Sequence, residues 1–148
     1  MTFTDTTEKG QHKGISFEFE LDHPPAKVWR ALTEPELLNQ WLLPVSDLTL
    51  EPAAAFTFQA PAQPDWDGRV RCRFLELEDQ KMLSYTWAVG EMELETVVTF
   101  TLQPTATGTR LTLVQSGFKP AQRQASGGAR YGWRLMGGQL VDLLEGMS

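Results

Sequence analysis

The sequence predicts one α+β domain, in which a strand and two short helices precede about six further strands and a long C-terminal helix. Three observations predict this class. Apolar and polar residues alternate in several short segments between residues 15 and 116, which is typical of strands buried on one face. A helical apolar period replaces this alternation near residue 26 and again after residue 120. The length of 148 residues fits a single domain.

The composition narrows the class of protein. The chain is 41% hydrophobic and 22% charged, which is ordinary for a soluble globular domain. No apolar run approaches the roughly 20 residues that span a bilayer, and the N-terminus lacks a secretory signal pattern, so we expect a cytoplasmic protein without membrane insertion. One cysteine, Cys72, excludes an internal disulfide. The formal net charge of −6 disfavours a nucleic-acid partner.

The first part of the chain predicts a tail, a strand and two helices. Residues 1–13 are polar and without apolar period, which predicts a flexible tail before a domain over residues 14–148. Alternation over residues 15–21 predicts a strand. Prolines at 24 and 25 suit the first turn of a helix. Thr33 and Glu36 then match a capping box, which predicts the start of a second short helix.

Strands are predicted through the middle of the chain. Alternation around Pro52 predicts a hairpin, with one strand over residues 48–50 and the next over residues 56–58. In the segment 68–77 the apolar phase changes near Phe74, which predicts a bulge. Further strands are predicted over residues 82–88, 94–102 and 109–116.

Three arginines alternate along the strand predicted at residues 68–77. The inner face of this strand is formed by Val70, Cys72 and Phe74. We therefore expect the alternating arginines to form a solvated outer face. Acidic residues on a neighbouring strand are the expected cross-strand partners. The arginines are Arg69, Arg71 and Arg73, and the acidic residues are Glu91, Glu93 and Glu95.

The C-terminal segment predicts a one-sided helix. Its apolar face gathers Trp133, Met136, Leu140, Val141, Leu143 and Leu144. Gly137 lies within that face, where a glycine costs about 1 kcal/mol of helix propensity relative to alanine. Either a close approach to another surface or room for a ligand would compensate for this cost.

Several strings of residues, in order along the chain, resemble the domain of the activators of the heat-shock chaperone ATPase, within the START-like superfamily. They are residues 24–37, Trp41, residues 83–87, 97–100 and 108–118, and Gly132-Trp133. The resemblance implies a helix-grip fold, which is a strongly curved antiparallel sheet of about six to seven strands wrapped around the C-terminal helix. It also implies an apolar cavity between sheet and helix in many members.

Two positions depart from the pattern of that superfamily. Ala53-Ala54 stand where relatives usually carry a Gly-Gly turn, so the turn type is expected to differ. Gln115 stands where many relatives place a histidine or glutamate on the last strand. A neutral amide is neither a general acid nor a general base, which argues against proton-transfer chemistry.

Inward-facing aromatic side chains are the candidate ligand-binding residues. Each one alone is as well explained by ordinary core packing, and their number together favours a pocket. Gln115 and the Tyr85 hydroxyl would supply its polar groups. The predicted site comprises Trp41, Phe58, Phe74, Tyr85, Trp87, Phe100, Gln115, Trp133 and Gly137.

The sequence predicts no catalytic residue, metal ligand or cofactor. A metal site needs converging His, Cys or carboxylate side chains, and the two histidines, His12 and His23, lie in the tail and before a helix. Cys72 is interpreted as a small apolar strand residue, because a nucleophile needs a nearby base.

Three functional hypotheses follow, in decreasing order of preference. The first is a binder of a small apolar or amphipathic molecule in the grip between sheet and helix. The second is a protein-interaction module, with a chaperone or another protein as partner and a role in stress response, as the resemblance implies. The third is a cyclase- or hydrolase-type enzyme, against which Gln115 counts. The oligomeric state stays open between monomer and homodimer.

Overall fold

In the residues that a computed structural model describes, eight antiparallel strands form one sheet with three helices packed on it. The structure describes residues 2–7, 14–62, 64, 67–89, 94–119 and 123–147. The sheet order is β1-β2-β8-β7-β6-β5-β4-β3. The strands are β1 Thr2–Asp5, β2 Gly14–Leu21, β3 Val45–Ser46, β4 Ala55–Gln59, β5 Arg69–Glu78, β6 Met82–Val89, β7 Leu94–Pro104 and β8 Thr109–Ser116. The helices are α1 Pro25–Thr33, α2 Pro35–Trp41 and α3 Arg123–Gly146.

The order and type of the elements confirm the predicted fold class, with one strand more than expected. That extra strand is β1, which corrects the prediction of a flexible tail for the residues it contains. β1 pairs with β2 so that Phe3 lies opposite Phe19, and their rings stack 5.2 Å apart. A four-residue strand with one large apolar side chain is too short to show alternation. Residues 8–13 of the predicted tail lie outside the described residues.

The junction between α1 and α2 differs from the predicted capping box. Pro25 does begin α1, because proline fits the first turn. Thr33, however, is the last residue of α1, and its hydroxyl donates to the carbonyl of Trp29. Glu34 therefore occupies the cap position of α2 without a side-chain cap. A single residue separates the two helices, so the threonine cannot cap the second one.

The region from β3 to β5 contains one wrong prediction and one confirmed one. The strand expected at residues 48–50 does not form, and β4 pairs instead with β3 at Val45–Ser46. Ala53 adopts a φ of 67°, in the left-handed region that costs an L-residue about 1–2 kcal/mol. This is where relatives were expected to carry glycine. The register of β5 against β6 shifts between Phe74 and Glu76, which confirms the predicted bulge.

The core lies between the inner face of the sheet and the helices. Alternate residues of β2, β5 and β8 are buried, as the period of two requires. From α3, the side chains of Trp133, Leu140 and Leu144 are almost completely buried. The helix therefore places one apolar stripe against the sheet, and this stripe positions the candidate site.

Candidate functional site

The seven predicted aromatic residues come together in one connected set, here called the aromatic row. Four strands and two helices contribute to it, and each ring contacts the next with 5.6–6.3 Å between ring centroids. Such spacings are those of favourable offset or edge-to-face aromatic pairs. In spatial order the row is Phe74, Tyr85, Phe58, Trp87, Trp133, Phe100 and Trp41.

Burial distinguishes one member of the aromatic row from the others. Trp87 is only partly buried, whereas the other six rings are at most 3% exposed. Trp87 lies three positions before residue 90, where the described residues are interrupted after β6. Its ring contacts Phe58 at 5.6 Å and Trp133 at 5.7 Å. The row therefore presents aromatic surface to solvent at Trp87.

Phe56 belongs to the same assembly, although the sequence analysis did not select it. Its ring lies 4.6 Å from Phe74, 5.2 Å from Tyr85 and 5.5 Å from Phe58. The sequence pattern could have selected Phe56, because Phe56 and Phe58 lie two residues apart on β4 and therefore share a face.

A buried hydrogen-bond network joins α3 to three strands beside the aromatic row. Trp133 Nε1 donates to Gln115 Oε1 at 2.8 Å, and Gln115 Nε2 donates to Thr96 Oγ1 at 2.8 Å. Thr96 Oγ1 in turn donates to the carbonyl of Trp87 at 3.2 Å. Each polar atom of this network thereby has a hydrogen-bond partner within the protein. Buried polar groups require such a partner.

The network gives Gln115 a structural task. Both heavy atoms of its amide already have partners, which leaves one N–H and one oxygen lone pair. Thr96 is the member of the network that sequence analysis missed. Nothing local marks it, since it becomes important only when β7 lies beside β8.

Trp41 and Gly137 are both closely surrounded by neighbouring residues. Trp41 Nε1 donates to the carbonyl of Ala31 at 2.7 Å, which fixes the indole between α1 and α2. At Gly137, a Cβ atom would lie 3.1 Å from the Phe19 ring and 3.3 Å from Phe3. Of the two explanations left open for this glycine, the geometry matches close approach.

Two ionisable groups on the inner face are neutral at ordinary pH. Burial raises the pKa of the Tyr85 phenol well above its usual range, with a further contribution from Cys72. Burial likewise raises the pKa of the Cys72 thiol. Neither side chain therefore provides a base, a thiolate or a charge to this face at neutral pH.

His23 lies outside the aromatic row, in a cluster that ties α1 to the end of α3. Lys27 Nζ donates to His23 Nδ1 at 3.0 Å and to the carbonyl of Met147 at 2.8 Å. Because an ammonium can only donate, Nδ1 accepts and Nε2 carries the proton. Burial, together with the Lys27 charge, lowers the pKa of this histidine. His12, the second histidine, lies outside the described residues.

In the part of the chain that the structure describes, no three His, Cys, Asp or Glu side chains are grouped so that they could hold a metal ion. None of the helices described is long and apolar enough to cross a membrane.

Comparison with known proteins gives one family and many similar structures. The model of the family described as "Activator of Hsp90 ATPase homolog 1-like protein" matches residues 22–145. Among curated proteins, none matches the sequence.

Three solved structures illustrate the similarity. A Mesorhizobium loti protein is 41% identical, with a TM-score of 0.84 over 92% of this chain and 99% of that one. A Nitrosomonas europaea protein is 31% identical, with a TM-score of 0.72 over 90% of this chain and 95% of that one. A Chromobacterium violaceum protein is 27% identical, with a TM-score of 0.74 over 91% of this chain and 99% of that one.

Proposed function

Because the chain belongs to the family of Activator of Hsp90 ATPase homolog 1-like proteins, we propose that it binds a small apolar or amphipathic molecule between the sheet and α3. The observation that carries this proposal is the partly exposed Trp87 at the end of a buried aromatic row. Small-molecule sites are mostly apolar and aromatic, with a few placed polar groups. The ligand would contact Trp87 first, next to Phe58 and Trp133.

The chemistry of this surface supports an apolar or aromatic ligand over a charged one. Gln115 and Thr96 are committed to the buried network, so few hydrogen-bonding groups remain for a ligand. Tyr85 and Cys72 are neutral, so no charge on either would pair with an ionic ligand. A planar or fused-ring molecule would gain most, since it stacks on Trp87 and buries aromatic area.

The experiment is a titration of isotopically labelled protein with lipids, flavonoid-like aromatics and polyketides, observed by amide and indole NMR. We expect shifts at Trp87 and Trp133 with one ligand class. Trp87→Leu should weaken that binding by about tenfold, because a stacked ring is worth roughly 1 kcal/mol or more.

Trp29→Leu is the matched control for this titration. Trp29 is also a partly buried tryptophan, but it lies on α1 and contacts no ring of the aromatic row. Its loss should leave affinity unchanged. Equal effects of the two substitutions, or a silent spectrum across the panel, would mean that the inner face is packed core.

The second candidate is interaction with another protein. The family description names an activator of a chaperone ATPase, and this supports a protein partner. An ATPase assay and a pull-down with the chaperone distinguish it from the first candidate. Failure of both would remove the chaperone as partner and leave ligand binding untouched.

A further inference from the structure

Four arginines in the described part of the chain lie within ion-pairing distance of a carboxylate. The pairs are Arg30 with Glu34, Arg110 with Glu18 and Glu20, and both Arg130 and Arg134 with Asp5. Arg71 and Arg73 on β5 depart from this pattern. No carboxylate in the described part of the chain forms an ion pair with Arg71 or Arg73.

Arg71 and Arg73 are exposed on the outer face of the sheet. Their strand neighbours Val70, Cys72 and Phe74 are buried, so the arginines point the other way. Arg71 lies between Thr57 on β4 and Ala88 on β6, which are both uncharged.

Of the acidic cross-strand partners expected from the sequence, Glu95 is described and forms no ion pair with these arginines. Glu95 pairs with Ala88, one strand further from Arg71, while Glu91 and Glu93 lie outside the described residues. Arg73 Nη1 donates to the carbonyl of Ala53 at 2.7 Å, which holds the side chain without cancelling its charge.

A groove of about 410 Å³ lies beside these arginines on the same outer face. Its floor includes Thr86, Val97 and Ser116, which are aligned across β6, β7 and β8. Because Arg71 pairs with Ala88 and Phe74 with Tyr85, Arg73 stands opposite Thr86 at the edge of this floor. Lys119 lines the other side of the groove, and Glu95 also borders it.

We propose that this outer-face groove, with Arg71 and Arg73, docks an extended acidic segment of a partner protein. Residues two apart on a strand are about 6.7 Å apart, which is also the spacing of alternate carboxylates in an extended peptide. The segment would run along β5 so that the arginines pair with those carboxylates, while the hydroxyl of Thr86 on the neighbouring strand bonds a neutral group. Glu95 repels acidic groups on its side and so fixes which way the segment lies.

The charge of the whole chain explains why the surface selects a short acidic segment and not a long polyanion. At a formal net charge of −6, the protein repels polyanions at long range. At physiological salt, charges are screened beyond about 8 Å, so a few carboxylates placed directly on the arginines are still attracted. The inference concerns the opposite face of the sheet from the proposed ligand site, and it stands independently of that site.

The test measures fluorescence anisotropy of a labelled peptide that alternates glutamate and threonine, mixed with the full chain first at physiological salt and then at higher salt. We expect binding that weakens as salt is added, and no binding of a matched lysine–threonine peptide. Arg71→Glu should weaken binding by about tenfold, since it replaces an attraction by a repulsion. Glu95→Gln should strengthen binding.

Arg30→Glu is the matched control, because it changes the net charge equally at an exposed site on α1. It should change the affinity less than twofold, and thermal unfolding verifies that each variant is folded. Equal losses in Arg71→Glu and Arg30→Glu, or no binding of the acidic peptide, would overturn the proposal. Tighter binding of a single-stranded oligonucleotide that is also lost in Arg71→Glu would overturn the choice of a protein partner.

Discussion

The two halves of α3 meet the sheet in different ways. In the first half, Trp133 extends from the helix and its indole fills the space to Trp87 and Phe100. One turn later the helix presents Gly137, and the sheet fills the space with Phe19 and Phe3. At Trp133 the large side chain thus comes from the helix, whereas at Gly137 the large side chains come from the sheet.

This difference shows where a ligand could enter. Around Gly137 the helix backbone lies close to the Phe19 ring, so no space remains there. Around Trp133 the separation is set by side chains, and the adjoining Trp87 is partly exposed. Close approach of the helix backbone fixes α3 at Gly137, whereas side-chain packing fixes it at Trp133.

The largest expected effect is on the free energy of unfolding, and it comes from removing the side chain that packs the first half of α3 against the sheet. Trp133→Ala should lower the free energy of unfolding by about 3–5 kcal/mol, because it leaves a cavity in the core. Trp133→Phe keeps a ring but leaves Gln115 Oε1 without its donor, and should cost about 1–3 kcal/mol. Urea unfolding measures both. If Trp133→Phe were as stable as the parent, the network would not contribute to stability.

Two adjacent glycines provide a matched pair for the second half. A Cβ at Gly138 would meet nothing within 4 Å, so Gly138→Ala should stabilise the protein by about 1 kcal/mol. The same change at Gly137 presses on Phe19 and Phe3. We expect Gly137→Ala to be less stable than Gly138→Ala by about 1–2 kcal/mol in urea unfolding. Equal gains would show that the helix is not closely seated there.

The smallest effect concerns the ion pairs that fasten β1 to α3. Asp5 accepts from Arg130 and Arg134. Partial burial acts to raise the pKa of Asp5, but hydrogen bonds from Thr7 and the two arginines outweigh it and lower the pKa to about 2. Both arginines are about half exposed, so we expect Asp5→Asn to cost only about 1 kcal/mol at neutral pH.

The pH dependence follows from the lowered pKa of Asp5. A carboxylate with a depressed folded-state pKa stabilises the protein above its ordinary value of 3.8, and this contribution is lost as pH falls towards about 2. The stability difference between the parent and Asp5→Asn should therefore shrink over that range. Glu34→Gln, at the exposed Arg30 pair, is the control. A difference that stays constant with pH would contradict the assignment to the carboxylate.

The residues on the inner face of the candidate site were predictable from the sequence, but the hydrogen bonds between its polar groups were not. Alternation places Tyr85 and Phe100 inward whichever strands they join, so local pattern suffices to select them. Gln115 was selected for its position on the last strand, but its partners Thr96 and Trp133 depend on how β7 and α3 are arranged. Gly137 was recognised as unusual, yet the sequence left open which of two reasons applied.

The sequence by itself determined the class of the fold, the order of its main elements and the bulge near Phe74. Each of these follows from periodicity and turn residues within a short window. Only the tertiary structure decided the pairing of β1, the neighbours of Gly137 and the lack of a carboxylate partner for Arg71 and Arg73 among the described residues. These features depend on residues far apart along the chain, and they exist only where the sheet register and the seating of α3 bring those residues together.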